Sequence, residues 1–216
     1  MSTQQAIQIF SISTALIASG GIASFSLFNV PLLKSQPASR SLPSIRWLFS
    51  RGSHIFPQAA IMAGSGFAYL AYDALPPGTI LMSNLLHHVT RGKPALYLAA
   101  AFLSIAIAPT TSFMIPTNFE LISMNEQKHG TKSADSAAFR EARRLPPRTA
   151  EESTQNKDDI GEFTDLSGPQ GKTPADSTPA DDEKVGRLLD TFARLNWIRA
   201  VLLAAGGVVG LAGALA

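Results

Sequence analysis

Four stretches of this chain carry enough uncharged residues in a row to leave water, and polar segments separate them. Ala6 to Val30 runs 25 residues without a charge, and a helix of about 20 crosses a bilayer. Ile55 to Tyr72 is a shorter run of 18, closed by Asp73, with Pro57 near its start as a kink or a first turn. Pro94 to Phe119 is the third. Leu188, Leu189, Phe192, Leu195 and Ile198 then recur at helical spacing, with Asp190 and Arg194 one turn apart on another side. From Ala200 to Ala216 no charge occurs, so a fourth span starts amphipathic and finishes in lipid. The pattern predicts an all-α integral membrane protein: a four-helix bundle of up-down topology.

The connections differ in character. Pro31 to Ser53 holds three prolines and Lys34, Arg40, Arg46 and Arg51, and its later half is expected to begin the second helix. There Trp47, Arg51, His54 and Gln58 fall at i, i+4, i+7 and i+11, which places them on one face. Asp73 to Lys93 reads as a turn region with a short helix over 80–89. Asn125 to about Lys184 is rich in Ser, Thr, Pro, Asp, Glu and Lys with few large apolar residues, the composition of a long disordered loop. The expected organisation is therefore 1–124 for helices one to three, 125–184 for the loop and 185–216 for helix four. A cleaved signal peptide is the competing reading of the first span; residues 1–5 lack Lys and Arg, and the apolar run exceeds a signal core.

Charge sharpens the membrane reading. The segment 125–184 holds 13 of the 16 acidic and 9 of the 18 basic residues, so the apolar remainder is basic at its edges. The Lys and Arg bias places the first and third connections on the cytoplasmic side, and an endomembrane such as the endoplasmic reticulum or a vesicle is the expected location. Gly20, Gly21 and Ser24 in the first span and Gly206, Gly210 and Gly213 in the fourth give small-residue faces, a packing signal and a weaker signal for a homo-oligomer. The absence of cysteine excludes disulfides and cysteine-ligated metals. No phosphate loop, dinucleotide fingerprint, HExxH or GxSxG occurs, and the one basic cluster, Glu141 to Arg148, has no interleaved aromatics for nucleic acid. His87 and His88 offer no third metal ligand nearby, so no metal site is expected.

Polar residues where lipid would favour leucine mark the candidate chemistry. Pro109 to Asn118 reads PTTSFMIPTN, and unpaired polar groups persist in hydrocarbon only when they face protein or a water-filled cavity. An up-down bundle would bring Asn29, Trp47, Arg51, His54, Gln58, Thr110, Thr111, Asn118, Asn196, Trp197 and Arg199 to one membrane depth, with all four helices contributing. Several have a plain alternative. Arg199 would snorkel to headgroups, Thr110 and Thr111 would bond carbonyls freed by the prolines, Trp47 and Trp197 would anchor at the interface, and His54 would be a solvated interfacial residue.

Trp47, the proline in the second span, PTTSFMIPTN and the LNWIR of residues 195–199 together resemble the family of small membrane proteins that includes the fungal anthrone oxygenases. The resemblance is expected to cover the four spans, with the loop outside it. It implies oxidation of an anthrone, a tricyclic aromatic polyketide, to the anthraquinone by dioxygen, without metal or flavin, in secondary-metabolite biosynthesis. It carries over Trp47, Pro109, Thr110, Pro116, Thr117, Asn118, Asn196 and Arg199. On this reading Arg199 with Asn196 or Asn118 holds the carbonyl oxygen, His54 is the base, Trp47, Trp197 and Phe113 flank the rings, and Thr110 and Thr111 line the substrate site. The alternative function is a non-catalytic membrane adaptor or carrier whose loop tethers soluble enzymes; a four-span structural protein without a ligand is weaker.

Overall fold

Prolines set two of the helix boundaries. A computed structural model describes residues 1–76 and 90–216; the short helix expected over 80–89, with His87 and His88, lies outside the described residues. Helix α1 (Thr3–Ser24) passes through a π-helical turn, Phe25–Asn29, into α2 (Val30–Lys34). Pro31 has no N–H and its ring crowds the carbonyl of Leu27 four residues back, and a widened turn relieves that clash. Helix α3 (Ala38–Asp73) runs unbroken through Pro57. Helix α4 (Gly92–Ile105) stops one residue short of α5 (Ile107–Gln127), because Pro109 cannot donate to the carbonyl of Ile105. The two short helices α6 (Ala134–Ala142) and α7 (Ala150–Thr154) precede α8 (Pro179–Leu215). Among the described residues there is no strand.

Three helical runs are long and apolar enough to cross a membrane: Thr3–Lys34, Gly92–Gln127 and Pro179–Leu215. The expected second span, Ile55 to Tyr72, is helical but is not among them. Pro57, Gln58, Ser65 and two tyrosines dilute its apolar run.

The described chain divides into two units. The first comprises Met1–Ser24, Ile55–Thr111 and Asn196–Ala216. Its interior is two apolar clusters, one around Ala15, Phe67, Leu70 and Tyr97, the other around Ile22, Ala60, Ile107 and Leu203. Small residues let these helices approach closely: a Cβ at Gly206 would stand 2.7 Å from the Ser104 hydroxyl and 3.1 Å from the Ala100 carbonyl. Gly210 and Gly213 face Phe67 and Tyr97 in the same way, so the glycine stripe of α8 is covered from within the chain. Ser19 donates to the Ala200 carbonyl at 2.7 Å, and Gln8 donates to the Tyr97 hydroxyl at 2.7 Å.

The second unit comprises Phe25–His54 and Ser112–Leu195. Val30, Leu42, Ile45, Met114, Leu121, Leu189 and Phe192 form its apolar core. Residues 125–184, expected to be a disordered loop, are folded within it. Ser133 caps α6, and Thr149 and Glu152 form a reciprocal capping box on α7. What replaces apolar burial is a set of enclosed charges. Arg148 bonds Glu126 at 2.8 Å and Asp159 at 2.9 Å, the Lys132 ammonium reaches Asn156 and the Ile160 carbonyl, and Arg46 donates to the Ser153 carbonyl at 2.9 Å. Both flanks of residue 125, and both flanks of residue 185, lie in this unit. Asp190 pairs with Lys34 at 2.6 Å rather than along its own helix with Arg194.

Candidate functional site

The polar face expected on α3 exists, and residues 162–167 cover it. The Trp47 indole donates to the Ser167 carbonyl at 2.9 Å. One turn on, the Arg51 guanidinium stands 5.6 Å from the Trp47 ring and donates to the carbonyls of Glu162 at 3.2 Å and Asp165 at 2.5 Å. His54 follows, its Nε2 lying 2.8 Å from a Glu162 carboxylate oxygen and its ring 5.1 Å from that of Phe163. Helical spacing thus aligns three polar side chains on one stripe, and the partner segment meets them with carbonyls and a carboxylate.

Within this segment the Asp165 carboxylate accepts from Ser133 at 2.5 Å and from the Ser167 hydroxyl at 2.8 Å. Burial pushes its carboxyl up, and the hydrogen bonds from Ser133 and Ser167 overcome that and hold it below the usual aspartate value. Burial likewise pulls the Arg148 guanidinium down, but the bonds and charge of Glu126 and then of Asp159 leave it raised. Arg46, 3% exposed, is depressed by burial, with Glu126 opposing.

The other expected site residues fall as follows. In the second unit with Trp47 and His54 lie Phe113, 71% exposed, and Asn118. Among the described residues the Asn118 Oδ1 is buried without a hydrogen-bond partner. In the first unit lie Thr110, Thr111, Asn196, Trp197 and Arg199. The Thr110 and Thr111 hydroxyls donate to the Ile107 carbonyl at 2.5 and 3.4 Å, back-bonding within their own helix. The carbonyl they take is not the one Pro109 leaves, which belongs to Ile105. Asn196 is buried and Arg199 partly so, whereas Trp197 and Ile198 between them are exposed. The asparagine and arginine therefore share the inward stripe of α8, one turn apart.

Sequence reasoning missed Glu162, Phe163, Asp165 and Ser167. They sit in a polar segment without apolar period, and nothing local marks them as partners of α3. Among the described residues no three histidine or carboxylate side chains cluster as metal ligands would.

The model of the anthrone oxygenase family matches residues 46–147. The anthrone oxygenase match is just under half of the chain. It starts at the polar stripe of α3, contains Trp47, His54 and the whole of PTTSFMIPTN, and runs past Asn125 into the segment expected to lie outside the resemblance. It stops short of LNWIR, so Asn196, Trp197 and Arg199 are not among the matched residues. No curated protein and no solved structure matches the chain.

Proposed function

We propose that this protein is a membrane oxygenase that converts an anthrone to its anthraquinone with dioxygen, and that it crosses the bilayer four times, the latter half of α3 included. The observation that carries the reading is the anthrone oxygenase match over 46–147, in a chain whose flanking helices are apolar enough for a bilayer. The reaction asks little of the protein. An anthrone methylene lies across the central ring from the carbonyl, and loss of one proton gives an electron-rich anthranolate. That anion passes one electron to dioxygen, the resulting radical and superoxide combine at the same carbon, and loss of water from the hydroperoxide leaves the second carbonyl. One substrate and one dioxygen give one quinone and one water, so dioxygen is the only co-substrate the balance needs.

His54 is the proposed base. A carboxylate only accepts hydrogen bonds, so Glu162 keeps the proton on Nε2 and leaves the lone pair of Nδ1 for the substrate. Asn118 Oδ1, a buried acceptor, suits a phenolic hydroxyl of a polyketide ring. The role of Asn196 and Arg199 as donors to a developing oxyanion is a separate assignment, resting on their shared inward stripe on α8. The adaptor reading draws no support from a flexible tether, since residues 125–184 are built into the second unit.

The test is dioxygen uptake by the detergent-purified protein offered a panel of anthrones, with quinone followed by its absorbance. Uptake above the rate of spontaneous oxidation, saturating with anthrone, is the expected result. Uptake at the spontaneous rate for every anthrone would overturn the assignment.

A further inference from the structure

Residues 161–167 combine two properties that seldom meet on a polar segment. Phe163 is 83% exposed and Leu166 90% exposed, although the surrounding chain from Asn125 to Lys184 is the most charged part of the protein. At the same time several polar atoms of this segment, its charged side chains among them, are bonded within the protein. Arg51 takes the carbonyls of Glu162 and Asp165, and Trp47 takes that of Ser167. The Thr164 and Asp165 N–H groups donate back to the Gly161 carbonyl, and the Ser167 N–H donates to the Asp165 carboxylate. Both acidic side chains face inward as well, Glu162 to His54 and Asp165 to Ser133 and Ser167.

A loop tip reaches the acyl boundary of a bilayer at lower cost when its charges and much of its backbone are already bonded within the protein, because the hydrocarbon supplies no partners. An exposed loop in water has no such need and gains nothing from two large apolar side chains at its tip. We propose that residues 161–167 form an interfacial anchor, with Phe163 and Leu166 set into the acyl boundary of the bilayer and Arg51 holding the backbone behind them. The partner is the lipid surface itself. Phe163 rests on His54, which immediately precedes the uncharged stretch Ile55 to Tyr72 in α3. Placing the tip at the membrane edge rests on the proposal that this stretch enters the bilayer.

The chain has no cysteine, so single spin labels can be placed cleanly. Phe163→Cys and Leu166→Cys, each in the full chain in phospholipid nanodiscs, are compared with Tyr69→Cys on α3 and Thr154→Cys at the end of α7. Collision with dioxygen, which partitions into lipid, is measured against collision with a water-soluble nickel chelate. The expected result is a severalfold fall in nickel accessibility at 163 and 166 relative to 154, with a rise in dioxygen accessibility. Nickel accessibility equal to that at 154 would overturn the anchor. So would shielding from both reagents, which would mean that protein covers the tip. The Tyr69 label reads the span of α3 independently: lipid at 69 with water at 163 and 166 sinks the anchor alone, and water at 69 with lipid at 163 and 166 sinks only the span.

Discussion

Nε2 of His54 and Oε2 of Glu162 lie 2.8 Å apart across 108 residues of sequence. One belongs to the anthrone oxygenase match and the other lies beyond its end at residue 147. The pair joins the matched segment to the part of the chain that follows it, and a carboxylate at that position favours the tautomer with its proton on Nε2.

If His54 is the base, His54→Ala lowers the initial rate of quinone formation by roughly a hundredfold or more. Glu162→Gln acts in the same direction by a smaller factor. Its amide can donate to Nε2, which moves the ring proton to Nδ1 and removes the lone pair from the working side. Initial rates at saturating anthrone check both. A wild-type rate in His54→Ala would remove the histidine from the chemistry.

Arg199→Ala is expected to reduce turnover by roughly a hundredfold if the guanidinium stabilises an oxyanion. Arg199→Lys should recover only part of it, because an ammonium lacks the planar pair of donors. An arginine that merely snorkels to headgroups would leave turnover unchanged in both variants.

Arg148 is enclosed with Glu126 and Asp159, all three side chains at most 4% exposed. Replacing it by methionine takes the paired cation from two buried carboxylates, an effect on the order of 3–5 kcal/mol. Limited proteolysis between residues 125 and 184 should then become fast while the parent resists. Equal resistance in parent and variant would mean that these charges do not hold the segment.

Asp165 gives the second unit an acid sensitivity of defined sign. Its folded pKa is depressed, so it contributes stability that is present above its unfolded value of about 4 and lost as pH falls below it toward the folded value. Asp165→Asn lacks that contribution. The difference in thermal stability between parent and variant should be largest near neutrality and shrink below about pH 4. A difference constant from pH 7 to pH 3 would contradict the assignment.

The helices were legible because long apolar runs and the helical period both leave a simple mark. Long uncharged runs identified α1, the α4–α5 pair and α8, and the 3.6-residue period put Leu189 and Phe192 in a core and Trp47, Arg51 and His54 on one face. Residues 125–184 were illegible for the same reason in reverse. Burial of apolar area is what a linear pattern records, and here order comes from Arg46, Lys132, Arg148, Asp159 and Asp165, whose partners are set only by the three-dimensional path. Helix ends were hidden too: His129, Arg144 and Asn156 adopt positive φ of 59°, 51° and 55° after α5, α6 and α7. Glycine is the usual residue there and would have signalled a stop.

The most direct test of the oxygenase account is the fate of the oxygen atoms. Anthrone supplied to the purified protein under ¹⁸O-labelled dioxygen in ordinary water should yield quinone carrying one labelled oxygen, formed at a rate proportional to enzyme. Enzyme-dependent quinone whose new oxygen comes from water, or no enzyme-dependent quinone at all, would contradict it.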